Sequence, residues 1–216
     1  IIANDINTNI NTEKTFVPAV SSDDRTRSFL KIQDGCDYFC AYCTVPYARG
    51  RSRSATIDDV VKMIKTTSLS GVKEIVLTGV NVGDFGKNNG ESLYDLLVSI
   101  EKQKYVDRIR ISSIEPDLLH PEIIKIISNS EIIAPHFHIS LQSGSDTILK
   151  AMGRKYDTKL FKERVLLIKE LMSNAFIAAD VIAGFPGETD EEYKNTKTFL
   201  ESLPLSELHV FTYSER

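Results

Sequence analysis

From Phe29 onward, short runs of apolar and β-branched residues alternate with longer segments whose apolar residues recur at helical spacing. That alternation is the pattern of βαβ units, in which a helix returns the chain to the start of the next parallel strand. Six strands are expected, over residues 29–33, 74–78, 108–112, 136–141, 177–183 and 208–212. Thr56 with Asp59, and Thr189 with Glu192, are helix-start signals of the capping-box kind, and Gly71 supplies a stop. Ser92 and Pro121 head further apolar-periodic runs, and Thr158 starts a longer helix reaching Met172. Joined by right-handed crossovers, six such units curl into an open six-stranded parallel (β/α) partial barrel, too small to close as eight. Ligands of such folds sit at the carboxyl ends of the strands, so five loops are expected to converge on one rim.

The composition limits the rest. With 42% hydrophobic residues the chain can bury a full core, and no apolar run reaches membrane-spanning length. No signal peptide is visible, so a cytoplasmic protein with no membrane partner is expected. The first two dozen residues are polar without a sustained period and read as linker, with the folded part beginning near Ser28. The formal net charge of −4 argues against a nucleic-acid binder that works by bulk charge. Locally the sign reverses: between Arg25 and Ser54 there are six cations against two acids.

That basic stretch surrounds Cys36, Cys40 and Cys43, the chain's only three cysteines, spaced C-x3-C-x2-C. Three thiolates this close can hold three irons of a cubic iron–sulfur cluster and leave the fourth iron without a protein ligand. The competing reading is zinc, with a distant histidine among His120, His136, His138 and His209 completing the site. A disulfide framework fits an odd cysteine count poorly.

Cys36-x3-Cys40-x-Tyr42-Cys43, on the loop after the first expected strand, resembles the radical S-adenosylmethionine (radical SAM) superfamily. The resemblance implies a 4Fe-4S cluster on the three cysteines, with S-adenosylmethionine on the open iron and a cellular electron donor to reduce the cluster. It implies reductive cleavage of the sulfonium to a 5'-deoxyadenosyl radical. By the same resemblance Thr78 and Gly79 offer backbone to the methionine amino group, Gln142 and Ser143 face the ribose, and Arg154 clamps the carboxylate. Ile182 begins the element that lines the adenine, with its acid displaced to Glu188. Bland readings stand beside these: Gly79 as a turn, Ser145 as a helix cap, Arg154 as a solvated charge, Asp180 as either a hydrogen-bonded core residue or a rim acid.

Five ordered blocks are most similar to the methylthiotransferase family within that superfamily: residues 35–40, 45–54, 141–145, 152–156 and 184–189. The loops at 77–86 and 112–116 resemble the branch that acts on threonylcarbamoyladenosine beside the tRNA anticodon, with isopentenyladenosine tRNA or a ribosomal protein as the rival acceptors. A rival of another class is a zinc-stapled RNA-binding module. Asn81, Asp84 and Glu115 are candidate acceptor-binding residues, or else orient one another. The resemblance also implies an auxiliary 4Fe-4S cluster in an N-terminal domain, of which residues 1–27 would be the tail and linker, leaving 28–216 as the radical SAM core. The Arg49–Arg51–Arg53 run suits tRNA phosphates or braces the cysteine loop.

Overall fold

The computed structural model describes residues 16, 18–21 and 26–215. Most of the expected linker lies outside the described residues. The part that is described is not all irregular: Ala19–Val20 (β1) pairs antiparallel with Arg27–Lys31 (β2), so the sheet begins earlier than the polar composition of this stretch predicts.

The six expected strands form. After β2 come Glu74–Thr78 (β5), Arg108–Ile111 (β6), His136–Gln142 (β7), Phe176–Ala183 (β8) and Glu207–Thr212 (β9), each parallel to its neighbour. Two bridges, Ile109 to Ile133 and Ile114 to Ile139, join the β2-β5-β6 section to the β7-β8-β9 section. A partial barrel results, as the βαβ pattern predicts.

Side chains alternate across these strands with period two. Ile75, Leu77, Ile109, Ile111, Phe137, Ile139, Ile177, Ala179 and Val181 face the helices and form one buried core. The intervening residues face the barrel interior and include the polar Glu74, Thr78, Arg108, Arg110, His136, His138, Ser140 and Asp180 beside the small or apolar Val76 and Ala178. At the amino ends of the strands Glu74 pairs with Arg27 at 2.6 Å, Arg108 at 3.6 Å and Arg110 at 3.9 Å, closing the bottom.

The helices start where their caps predict. Val45–Arg49 (α1) follows the cysteines, and Ile57–Ser68 (α2) is capped by Thr56, whose hydroxyl accepts from Asp59 N–H at 3.2 Å. Leu93–Gln103 (α3) is capped by Ser92, Pro121–Ser128 (α4) opens on its proline, and Asp190–Glu201 (α7) is capped by Thr189. In Thr158–Leu171 (α6) the cap is Asp157, one residue before the expected start. A further short helix, Asp146–Ala151 (α5), is capped by Ser145, whose hydroxyl accepts from Ile148 N–H at 3.3 Å.

On β9, which is the edge of its sheet, Leu208 and Val210 point outward beside α7, and Val210 is 63% exposed.

Candidate functional site

The cysteine loop is pinned at its base. Gln33–Asp34 (β3) and Arg53–Ser54 (β4) pair antiparallel, so residues 35–52 leave and re-enter the barrel at one point. Gln33 is fully buried, and its amide Nε2 donates to Asp34 O, Gly35 O and Ser52 Oγ at 2.8–3.0 Å. Its Oε1 accepts from Asn81 N–H at 2.8 Å, tying the cysteine loop to the loop after β5. Gly35 has φ +70°, and a Cβ there would stand 2.0 Å from Arg51 O, so only glycine lets the two arms of the loop approach this closely.

Asp34 gathers the charges of this loop. Lys31, Arg49 and Arg53 lie 3.3–3.4 Å from its carboxylate, which also accepts from Gly35 N–H. Burial works to raise its pKa, and the Gly35 N–H and these cations outweigh it, so the carboxyl is held below its ordinary range. Arg51 pairs with Asp37 at 3.6 Å and lies over the Phe39 ring, 4.5 Å from its centroid. The three arginines therefore brace the cysteine loop. They are not equivalent: the Arg53 side chain is enclosed, whereas those of Arg49 and Arg51 are 55% and 57% exposed.

Cys40 is buried and Cys36 and Cys43 are half-buried. Tyr38 N–H points at Cys36 Sγ at 3.4 Å, Cys43 N–H bonds Cys40 O, and Ala41 N–H bonds Met152 O, fixing the loop against the end of α5. Burial pushes the Cys36 thiol up; the Tyr38 N–H opposes this, and Cys40, Asp84 and Cys43 add to the rise.

Arg154 joins the cysteine loop to the opposite side of the barrel. One terminal nitrogen, Nη1, donates to Cys40 Sγ at 3.0 Å and to Tyr42 Oη at 3.1 Å. Nη2 pairs with Glu115, and Nε donates to Tyr156 Oη at 2.8 Å. The Tyr156 hydroxyl in turn donates to the carbonyls of Ser140 and Leu141 at the end of β7. Burial works against the charge of Arg154, but Tyr156, Tyr42 and Cys40 outweigh it and hold the guanidinium above its usual pKa. Arg154 is thus an enclosed ion-pair partner, not a solvated charge; its side chain is 3% exposed.

The remaining expected residues are placed as follows. Thr78 ends β5 with its carbonyl accepting from Ile32 N–H at 2.9 Å. A Cβ on Gly79 would meet Gln33 Oε1 at 2.8 Å. Asn81 is buried, its Nδ2 donating to Asp84 Oδ2 at 3.3 Å, so these two orient one another; its Oδ1 is buried without a partner among the described residues. Gln142 ends β7 with φ +73°, beside a register shift in the ladder to β8. Ser143 has no exposed surface: its hydroxyl lies 3.1 Å from Thr196 Oγ1 and accepts from Ser145 N–H, so it does not reach the rim directly. Ile182 and Tyr42 pack with Ile148, Met152, Phe185 and Tyr213 in an apolar nest beside the cysteines. Glu188 folds back to accept from Gly184 N–H at 2.5 Å.

One constellation joins residues that the sequence offers only singly, His138 and His209 as distant zinc candidates and Asp180 as a core residue or rim acid. His138, Asp180 and His209, on three neighbouring strands, converge in the barrel interior. Strand register is what brings them together, which residue spacing alone does not reveal.

The donor set fits an iron–sulfur cluster. The N–H groups of Tyr38 and Arg154 at two sulfurs are the contacts that tune such a cluster.

Residues 30–200 match the Radical SAM superfamily. The threonylcarbamoyladenosine tRNA methylthiotransferases MtaB of Aquifex aeolicus and Bacillus subtilis are each 43% identical to the chain, over 190 and 206 residues, covering 88% and 94% of it. The chain spans about half the length of these curated relatives, 46% and 45%. The radical S-adenosylmethionine methyltransferase TsrM from Kitasatospora setae, solved with cobalamin and a [4Fe-4S] cluster, shares the fold with a TM-score of 0.72. It is 16% identical, and the match covers 85% of this chain and 36% of that one.

Proposed function

Because the chain belongs to the radical SAM superfamily, we propose that it is the radical-generating core of a tRNA methylthiotransferase acting on threonylcarbamoyladenosine beside the anticodon. The observation that carries the reading is the guanidinium of Arg154 donating to the sulfur of Cys40 while paired to Glu115. The identity to relatives that carry this activity in their names supports the acceptor.

Cys36, Cys40 and Cys43 are assigned to three irons of a 4Fe-4S cluster. When bound and reduced, that cluster supplies the electron for cleaving the sulfonium of S-adenosylmethionine. The chain's own residues do the rest. Arg154 neutralises charge at Cys40, and it clamps a carboxylate only by exchanging its partner Glu115 for that group; Thr78 O and Gly79 present backbone to the amino group. Gln142 faces the ribose, and Ile182 with Tyr42 supplies an apolar wall that keeps water from the adenine side. Glu115 orients Arg154, Asn81 holds the loop after β5, and Ser143 acts through the loop it braces.

All three cysteines are used by this site, so an auxiliary cluster that donates sulfur draws its ligands from outside these 216 residues. An exposed basic and aromatic patch of Phe39, Tyr47, Arg49 and Arg51 lies beside the cysteine loop and suits phosphates and unstacked bases of the tRNA. A cellular reductant and a cytoplasmic setting accompany this reading; among the described residues no helix is long and apolar enough to cross a membrane.

Anaerobic reconstitution tests the core. The expected product is a brown protein with about four irons that releases 5'-deoxyadenosine from S-adenosylmethionine under a strong reductant, with Cys40→Ser inactive. A colourless protein holding one zinc would overturn the reading. The acceptor is tested by giving the protein tRNA bearing threonylcarbamoyladenosine, tRNA bearing isopentenyladenosine, or ribosomes, and weighing the products.

A further inference from the structure

We infer that His138, Asp180 and His209 form a second metal site, for a divalent first-row transition ion, in the interior of the barrel. His138 Nε2 lies 2.7 Å and His209 Nδ1 3.1 Å from the same oxygen, Asp180 Oδ1, and the two ring nitrogens are 3.3 Å apart. An ion with bonds near 2.1 Å to N and O ligands sets neighbouring ligand atoms about 3.0–3.4 Å apart. The triangle is already close to those dimensions.

Both imidazole nitrogens address one carboxylate oxygen and lie 3.3 Å from each other. A cation at the centre uses all three lone pairs at once. Two imidazoles and a carboxylate on one face form the donor set that suits Fe(II) and Zn(II), not the oxygen-only set of magnesium or calcium.

The surroundings agree. Asp180 pairs with His209 in the parallel ladder, and His138 stands on the adjoining strand, so the ligands ride on three rigid elements. The outer nitrogen of His209, Nε2, has the Glu207 carboxylate 3.6 Å away, one small side-chain rotation from the carboxylate–histidine hydrogen bond that commonly supports a metal-bound imidazole. The three side chains remain 18–37% exposed to the interior, leaving coordination positions open to water or to a bound molecule. This site is distinct from the cysteines, and it stands or falls independently of the proposed acceptor.

The test uses the 216-residue chain with Cys36, Cys40 and Cys43 replaced by serine, so that no thiolate competes. Titration with Zn²⁺ followed by calorimetry, and with Co²⁺ followed by its visible spectrum, is expected to show one saturable site. His138→Gln, His209→Gln and Asp180→Asn should each weaken it at least about tenfold, and Glu207→Gln, which alters only the support, by roughly tenfold. Circular dichroism checks the fold of each variant; Glu207 is exposed, so its variant remains informative if a ligand variant fails to fold. Absence of saturable binding overturns the inference, as does binding that none of the four substitutions changes.

Discussion

Arg154 and Cys40, 114 residues apart in sequence, meet through an N–H···S contact of 3.0 Å inside the barrel mouth. The same guanidinium pairs with Glu115 after the third large strand and bonds Tyr156 beneath the fourth. One side chain therefore ties its own loop and the loop after β6 to the cysteine loop.

Removing the cation leaves the Glu115 carboxylate enclosed and unpaired, which costs about 3–5 kcal/mol for a buried pair. Arg154→Met should show a loss of that order in urea unfolding, and Arg154→Met with Glu115→Leu should recover most of it. Equal losses in the single and double variants would show that the pair's charge is not what matters.

Two glycines with similar backbones should respond differently to a methyl group. Gly35 and Gly90 have φ +70° and +78°, but a Cβ on Gly35 meets Arg51 O at 2.0 Å whereas Gly90 has open space around it. Gly90→Ala should cost only the left-handed backbone term, about 1–2 kcal/mol. Gly35→Ala should cost more than that and should abolish iron uptake on reconstitution, measured by iron content against thermal midpoint.

Gln33→Leu keeps the volume and deletes the bridge. It leaves Asn81 N–H and the carbonyls of Asp34 and Gly35 without this partner, at about 1–3 kcal/mol for each group left unsatisfied. A midpoint shift in denaturant of at least one such group is expected, and the cysteine loop should become the first segment to exchange its amide hydrogens.

Burial holds the Asp84 carboxyl above its ordinary range; Lys87 opposes this and Asp37 reinforces it. The folded chain then binds the proton more tightly than the unfolded chain does. Stability falls as pH rises from the unfolded carboxylate's value of about 3.9 through the raised one. Asp84→Asn should therefore be more stable than the parent at pH 7, with the gap closing toward pH 4, read by chemical denaturation across that range. A variant less stable at pH 7 would show that the Lys87 and Asn81 contacts dominate.

On the proposed function, Arg51→Ala should lower the salt slope of tRNA affinity by about one, since each phosphate contact releases roughly one counterion. An unchanged slope would restrict Arg51 to its contacts with Asp37 and Phe39.

The parallel strands and long helices were legible because their signals are local: period-two apolar runs, a capping serine or threonine, a proline at the first turn. The two-residue ladders of β1 and of β3 with β4 carry no such pattern; they exist because the chain returns to them from elsewhere. The same division runs through the site. Three cysteines within eight positions announce themselves, whereas Gln33 reads as an ordinary polar strand end until Asn81 is seen beside it. His138, Asp180 and His209 are separated by 42 and 29 residues and become neighbours only through strand register.

The outward face of β9 carries a practical cost. Among the described residues β9 is an edge strand, and with Leu208 and Val210 open to water it offers both backbone hydrogen bonds and apolar surface to another copy of the chain. Solutions of this chain should thus self-associate as concentration rises, with light scattering growing before any loss of secondary structure. Val210→Lys puts a charge in the middle of that strand and should keep concentrated samples monodisperse while leaving the cysteine loop untouched.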